Sequence, residues 1–547
     1  MRFRNGALYA LLAVVAVVAA AAFAASRSDS APAALARHAR GGPAAADPTV
    51  TVGPALPIRP VGPTFLGFSF EYWALQQYAG TNPQTIDPVF EQLLSNLTEG
   101  RPTLIRIGGI STDRTWWPVK GLPRPLPDWY TLTRRRLQVA VSLARATNAR
   151  LIFGVNLEAD STVEAAAETQ AMMEVAGRRL IDGIELGNEP ELYGNRWYYK
   201  IDGKKYFARP RSWDFQSFLP DYLNVAAAIG HVPLVGPAIG ALNWMRYLGD
   251  YLAAEHPAVV TLHRYPLESC GALPAEAKYP SIAHLLSLRA SRGLAAKFEP
   301  YVLMAHAHGE LVRNSEMNSV SCGHAHGSAN TFAGALWLLD TLFAMANVGV
   351  DGVNIHTYSG AADQLFSIKH VDGQWLAYVA PAYYGALMFS QAAPSGAHLL
   401  QVSGVADDPT VRAWATRTKD GEIHVVLLND ATDHPEYLTV RVPGVTGPAT
   451  VERLQAPHVQ STRGVTIGGQ TFGHWTSTGL LPDAYNVADL ASVAGGYRIR
   501  LPAASAAMLT FETGSAGQAG LSFATFDRRD RERLARHPHS QRRTRSL

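Results

Sequence analysis

The feature that most constrains this chain is an alternation of texture. Between Thr64 and Gln391, eight short β-branched or Leu-rich runs alternate with longer amphipathic stretches. Short apolar runs read as buried strands and the stretches between them as helices, so the region is a series of βα units. The runs are Phe65 to Phe70, Leu104 to Gly108, Leu151 to Val155, Ile184 to Gly187, Pro233 to Gly236, Val259 to His263, Val312 to Glu316 and Gly352 to His356. The helix-like segments are Pro88 to Leu97, Thr131 to Ala146, Ser161 to Val175, Trp213 to Ile229, Trp244 to Glu255, Ile282 to Arg292, Thr331 to Ala346 and, after the eighth run, Ala382 to Gln391.

Eight such units predict a closed (β/α)8 TIM barrel, an α/β fold in which reactive side chains sit at the C-terminal ends of strands because the βα loops meet there. A doubly wound open sheet is the alternative, and no Gly-rich phosphate loop follows an early strand to support it. Beyond Ala397 the texture changes to short alternating runs: Thr410 to Thr418, Ile423 to Leu428, Tyr437 to Val442, Ala449 to Leu454, Tyr497 to Leu501 and Ala507 to Phe511. Turn residues such as Lys419-Asp420-Gly421 separate them, which predicts an all-β sandwich domain. Thr49 to Arg59 alternates as well and is expected to add a strand to that sandwich. The expected division is 49–63 for this strand, 64–392 for the barrel and 393–514 for the C-terminal sandwich.

The ends read differently. In residues 1–25, Arg2 and Arg4 precede an apolar run from Ala7 to Ala25, the pattern of an export signal. Ala22-Phe23-Ala24 fits the small-x-small cleavage rule, and the run is also long enough for an uncleaved anchor. The protein is expected to be secreted, or held at the cell surface by this segment, its one suggested contact with a membrane. Residues 26–48 form an Ala, Pro and Gly-rich linker and 515–547 an Arg-rich tail; both read as disordered.

Hydrophobic residues at 47% and charged residues at 17% describe an ordinary globular interior, and a net charge of +3 is too small to imply nucleic acid or another polyanion as partner. Two cysteines exclude a disulfide-rich scaffold and a Cys-based zinc site. Cys270 and Cys322 follow the sixth and seventh runs and so lie on neighbouring loops; a disulfide and two free thiols both fit. His306-Ala307-His308 and His324-Ala325-His326 read as polar loop content rather than metal ligands. No metal and no cofactor is expected.

Side chains two apart on a strand share a face, so Glu185, Gly187 and Glu189 point one way. Glu185 lies deep enough to be a barrel-interior carboxylate, Glu191 beyond Pro190 is expected to face solvent, and Glu189 sits at the barrel mouth. In the seventh run Asn314, Glu316 and Asn318 share a face. Two carboxylates at the ends of different strands suit glycosidic bond cleavage, one as proton donor and one as nucleophile. Neighbouring strand ends supply Arg106, His263, Tyr265, Asn354, His356 and Tyr358. A cationic or phenolic hydrogen bond would keep Glu316 ionised while a less solvated Glu189 holds its proton. Trp73, Trp116, Trp117, Trp197, Tyr198 and Tyr199 fall in βα connections, where rings can stack on a sugar face.

The segments Phe68-Ser69-Phe70-Glu71-Tyr72, Arg106-Ile107-Gly108-Gly109-Ile110-Ser111-Thr112-Asp113, Glu185-Leu186-Gly187-Asn188-Glu189-Pro190, His263-Arg264-Tyr265-Pro266 and Ser315-Glu316-Met317-Asn318-Ser319 resemble glycoside hydrolase family 79, the family of β-glucuronidases and heparanases. The likeness runs from about Thr49 to Thr513. It implies that Glu189 is the general acid/base and Glu316 the nucleophile, with Tyr265 turned toward Glu316 and with Glu71 and Asn188 on sugar hydroxyls. It also implies that Ser321, Cys322 and Gly323 lie beside the uronate carboxylate. By their places at the strand ends, Tyr358 is expected to add its hydroxyl there and Arg106 and His263 to support the site. The sequence departs from the commoner pattern at His324, where a second glycine often follows Gly323.

The implied activity is that of a retaining exo-β-glucuronidase acting on a β-glucuronide or a uronic-acid-containing oligosaccharide. Long basic stretches suited to an endo-acting heparan sulfate enzyme are not evident. The alternatives are another retaining β-glycosidase of the same clan, endo-acting or specific for a non-uronate substrate, and a surface carbohydrate-binding protein without catalysis. The presence of both Glu189 and Glu316 argues against the last.

Overall fold

A computed structural model describes residues 47–512 apart from 324, 406–408, 483 and 494. Residues 1–25, read above as an export signal, most of the linker, the basic tail and His324 lie outside the described residues. No helix among the described residues is long and apolar enough to cross a membrane.

Eight parallel strands close into a barrel in chain order: β1 (Leu66–Glu71), β2 (Thr103–Gly108), β3 (Ala149–Val155), β4 (Ile181–Leu186), β5 (Leu234–Ile239), β6 (Val259–His263), β7 (Leu311–Met317) and β8 (Gly352–His356). Each coincides with an expected run to within a few residues. The strands are covered on both faces, which is why they read as continuous apolar runs rather than as alternations. Leu104, Ile152 and Val235 form a small apolar layer of their own inside the barrel. Two residues beyond Leu104 on the same face stands Arg106, so the filling changes from apolar to charged toward the C-terminal mouth.

Helices start where the sequence supplies a cap. The Thr133 side chain accepts from the Arg136 N–H ahead of Arg134–Ala146, and the Ser161 side chain accepts from the Glu164 N–H ahead of Thr162–Ala176. Two expected helices differ. Trp244 to Glu255 is two helices, Leu242–Met245 and Leu248–Ala254. Ile282 to Arg292 breaks into Ile282–Leu285 and Arg292–Ala295, followed by Glu299–His308. His306 and His308, expected in a loop, therefore end a helix. Gly309 at φ 90° terminates it, Pro300 is tolerated in its first turn, and histidines are favoured near a helix C-terminus.

The C-terminal domain is one ten-stranded mixed sheet. Thr49–Ala55, from before the barrel, pairs antiparallel with His398–Ser403 and parallel with Glu436–Arg441. The sheet folds over an apolar core in which Tyr497 meets Phe511 edge-on, ring centroids 4.9 Å apart. Its other face covers the barrel helices Phe332–Asn347 and Pro381–Ala392, which are buried almost throughout. The Trp414 ring stacks on Phe343 at 5.7 Å and its indole N–H donates to Asp340 at 2.7 Å. Replacing Trp414 with Ala is expected to destabilise the protein by about 3–5 kcal/mol. Chemical denaturation checks this, and a loss near zero would show that the sheet is held on the barrel without that contact.

Candidate active site

The site is organised by Arg106, which is fully buried at the inner face of β2. A guanidinium without water needs its donors satisfied, and four acceptors from four parts of the barrel do so. Arg106 donates to Glu185 at 2.6 Å, to Glu316 at 2.8 Å, to Asn188 at 2.9 Å and to Ser69 at 3.1 Å. Burial works against its charge, but Glu185 and Glu316 outweigh that and push its pKa up. Glu185 is thus an interior partner rather than a reacting group, as its depth suggested.

Glu316 stands at the end of β7 and also accepts from the Tyr265 hydroxyl at 2.9 Å. Burial opposes its ionisation; His356, His263, Arg106 and the Tyr265 hydroxyl together prevail and hold it well below the usual carboxylate range. Two histidines complete the surroundings. The His356 Nδ1 lies 2.9 Å from the Ser69 hydroxyl and its Nε2 lies 3.7 Å from Glu71. His263 is fully buried, with Nδ1 3.8 Å from both Glu189 and Glu316.

Glu189 follows β4 in the left-handed region, at φ 49°. That turn is held by Asp113, whose carboxylate accepts from the N–H of Asn188 at 3.0 Å, the Tyr193 hydroxyl at 2.9 Å, and the N–H groups of Leu157 and Glu158 at 3.2 and 3.3 Å. Carboxylate oxygens of Glu189 and Glu316 lie within 4.8 Å of one another, and the same distance takes in a His263 nitrogen. These three groups are near enough to hold a metal ion; the pair of acids is also near enough to act on one sugar carbon.

Glu191, expected to face solvent, is buried, and one of its carboxylate oxygens accepts from the N–H groups of Gly240 and Ala241 at 2.6 Å each. The absence of a side chain at Gly240 permits this: a Cβ there would stand 2.8 Å from a Glu189 oxygen and 3.1 Å from a Glu191 oxygen. Burial, followed by the neighbouring Glu189, pushes the Glu191 carboxyl up to about 8.

A cavity of about 610 Å³ opens over the two acids, and Glu71, Asn188, Tyr265, Ser321, Cys322, Gly323 and Tyr358 all line it. Glu71 accepts from the N–H groups of Ile110 and Ser111 at 3.1 and 2.8 Å and from the Ser111 hydroxyl. Cys270 and Cys322 form a disulfide, with Cα atoms 5.9 Å apart, that ties the β6 and β7 loops. Cys322 and Gly323 both have φ of 70°, and a Cβ on Gly323 would stand 2.1 Å from the Tyr358 hydroxyl oxygen. The Ser321 hydroxyl donates to the Leu267 carbonyl at 3.3 Å, so its proton is engaged within the loop.

Of the six aromatics expected near a ligand, Trp73 lines the cavity. Trp116 is buried, Tyr198 lies under Arg114, Tyr199 stacks on Tyr206, and Trp197 is exposed. Asn354 holds strands together, donating to the Phe68 carbonyl and accepting from Arg313, each at 2.8 Å. Residues that sequence reasoning gave no role include Asp113, Arg196 and Asp363. Asp113 ends the segment that begins at Arg106, and Asp363 accepts from the Val320 N–H at 3.1 Å across the mouth. No sequence signal marked Arg196.

Residues 413–508 match the glycosyl hydrolase family 79 C-terminal β domain. No curated protein matches the sequence. Among solved structures the chain is similar to a 4-O-α-L-rhamnosyl-β-D-glucuronidase from Fusarium oxysporum 12S at 19% identity, covering 84% of this chain and 100% of that one with a TM-score of 0.66. Family 51 arabinofuranosidases are also similar. The one from Xanthomonas axonopodis pv. citri has 14% identity, coverage of 85% and 100%, and a TM-score of 0.58. The one from Thermotoga petrophila RKU-1 has the same identity and coverage and a TM-score of 0.59. At such identities the likeness speaks to the fold, a (β/α)8 barrel with a β domain.

The burial of Glu191 has a consequence for stability. Its unfolded carboxyl titrates near about 4.3, whereas in the folded protein it is raised to about 8. Between these values the native state holds a proton that the unfolded state has lost, so stability should fall as pH rises through that window. Glu191→Gln keeps the acceptor for Gly240 and Ala241 but does not titrate. Its stability relative to wild type is expected to improve by of order 1 kcal/mol per pH unit between about pH 5 and 8. Thermal unfolding across that range measures this; parallel curves for the two proteins would contradict it.

Proposed function

We propose that this glycoside hydrolase, which carries the family 79 C-terminal β domain, is a retaining exo-β-glucuronidase. The observation that carries the reading is the pair Glu189 and Glu316, with carboxylate oxygens within 4.8 Å and only Glu316 bonded to a buried guanidinium and a phenol. Retention uses carboxyl groups about 5–5.5 Å apart, whereas inversion needs about 6.5–9.5 Å to seat a water between acid and sugar.

In this mechanism a Glu316 oxygen attacks C1 of the sugar while Glu189 gives its proton to the departing glycosidic oxygen, so the C1–O bond breaks as the glycosyl ester forms. Glu189, now a carboxylate, takes a proton from water, whose oxygen displaces Glu316 from C1. Arg106 and Tyr265 keep Glu316 anionic and so a competent leaving group in the second step. Glu71 and Asn188, both on the cavity wall, hold sugar hydroxyls.

Selection of a uronate rests on the loop that carries Ser321, Cys322 and Gly323, braced by the disulfide and pressed against Tyr358. With the Ser321 hydroxyl committed to Leu267, the donors left to a C6 carboxylate are the loop's N–H groups and the Tyr358 hydroxyl. The structural neighbour from Fusarium oxysporum, named as a rhamnosyl-glucuronidase, supports a glucuronide as substrate. Export, by cleavage or with an anchor, belongs to the same reading and rests on Arg2, Arg4 and the apolar run that follows them.

Two measurements test this. A hydrogen bond to a carboxylate contributes about 1.5–3 kcal/mol, so losing two should make kcat/KM for an aryl β-glucoside at least about a hundredfold lower than for the matched β-glucuronide. A ratio below about ten would point to another β-glycoside as substrate. Glu316→Ala should abolish turnover of every substrate. Glu189→Ala should spare aryl glucuronides whose leaving group needs no protonation, with partial rescue by azide. Equal loss on activated and unactivated substrates without rescue would count against the assignment of Glu189.

A further inference from the structure

His356 closes β8 and Glu71 closes β1, and these strands are neighbours in the barrel. Their register sets His356 beside Ser69, and Glu71 lies two residues further along on the face that Ser69 shares. The His356 ring is bonded on one side. Its Nδ1 is 2.9 Å from the Ser69 hydroxyl, which itself accepts from Arg106 at 3.1 Å. Its Nε2 is 3.7 Å from Oε1 of Glu71, beyond hydrogen-bonding range. Both ring nitrogens of His263 are shielded from solvent without a partner, whereas the His356 Nε2 reaches the cavity, which His356 and Glu71 line together.

The Glu71 carboxylate decides where the imidazole carries its proton. A bare lone pair on Nε2 would face an anion, an Nε2–H is attracted to it, and the Ser69 hydroxyl is able to give its own proton to Nδ1. Burial opposes a charge on the ring, but Glu316 and then Glu71 outweigh it and raise the pKa. Neutral or charged, His356 therefore presents a donor at Nε2. Glu71 presents an acceptor: its Oε1 takes one N–H, from Ile110, and keeps a second lone pair.

A donor and an acceptor 3.7 Å apart do not satisfy each other, but they bracket an oxygen that serves both. We propose that His356 is a specificity-determining residue that donates from Nε2 to a hydroxyl of the reacting sugar, the same hydroxyl that donates to Glu71. An ether at that sugar position fills one of the two roles and a hydrogen neither. This rests on the reading of Glu189 and Glu316 as the reacting pair, and deepens it by naming a group on the sugar that the site requires.

The test measures kcat/KM for wild type, His356→Asn and His356→Gln on an aryl β-glucuronide and its 2-, 3- and 4-deoxy analogues, with thermal unfolding as the control for folding. An Asn side chain reaches the Nδ1 position and still bonds Ser69, but leaves the Nε2 position empty. A Gln amide reaches toward the Nε2 position and still donates to the sugar. His356→Asn is expected to lower kcat/KM on the parent glucuronide by about ten- to a hundredfold. On the one deoxy analogue that lacks the hydroxyl it should change kcat/KM by less than about threefold, because no contact remains to be lost. His356→Gln should recover part of the parent activity.

An equal loss on the parent and all three deoxy analogues would overturn the proposal, as would no loss in either variant. Full activity in His356→Asn with loss in His356→Gln would also overturn it, by showing that the ring serves only to position Ser69 and Arg106. The hydroxyls at C2, C3 and C4 are common to glucuronides and glucosides. Should the protein turn over glucosides but no glucuronide, the glucuronide specificity fails while the matching deoxy-glucosides still read out His356.

Discussion

The structure of the site depends on one desolvated cation. Arg106 has no water to satisfy it, so the barrel must bring acceptors from β1, β4, the turn after β4 and β7 to a single point, or bear the cost of an unpaired buried charge. Each acceptor gains a position in return. Glu185 neutralises the cation from within the barrel, Asn188 is oriented beside Glu189, and Glu316 is held as an anion facing the cavity. The same fork of hydrogen bonds that stabilises the barrel interior therefore distinguishes Glu316 from Glu189 chemically.

Around this centre the loops are fixed by local devices of different kinds. Asp113, from the turn after β2, gathers N–H groups from the β3 and β4 loops and keeps Glu189 in a left-handed turn that a flexible loop would not hold. On the opposite side, the Cys270–Cys322 disulfide and the Asp363 carboxylate hold the β6, β7 and β8 loops together. Side chains on loops become precise only when their backbone is over-determined in this way. The cavity owes its shape to such restraints rather than to the strands beneath it.

The β domain acts at a distance. The described residues that line the cavity come from the barrel. What the sheet does is cover Phe332–Asn347 and Pro381–Ala392, the helices that follow β7 and β8, through contacts such as Trp414 on Phe343 and Asp340. Those helices are apolar nearly all round because neither face meets water. The strands that carry Glu316 and precede Tyr358 are thereby backed on their outer side, and the strand Thr49–Ala55 ties the start of the barrel to the same sheet.

The sequence by itself determined the eight strands, the position of Glu189 and Glu316 at their ends, and the interior place of Glu185. Each of these follows from local periodicity: two residues per repeat decides a face, and apolar continuity decides burial. It was silent where a partner is remote. Glu191 was read as exposed because its acceptor role depends on N–H groups about fifty positions away and on the missing side chain of Gly240. Asn188 and Asp113 are 75 residues apart, so their pairing leaves no mark in a short window. The helix Glu299–His308 was missed although Gly309 and the terminal histidines marked its end, because its weakly amphipathic surface lacks a clear stripe. Arg196 carried no local signal at all. Which buried polar groups find partners was decided only when barrel closure brought the loops together, because satisfaction of a buried hydrogen-bonding group is a property of its neighbours in space and not of its neighbours in the chain.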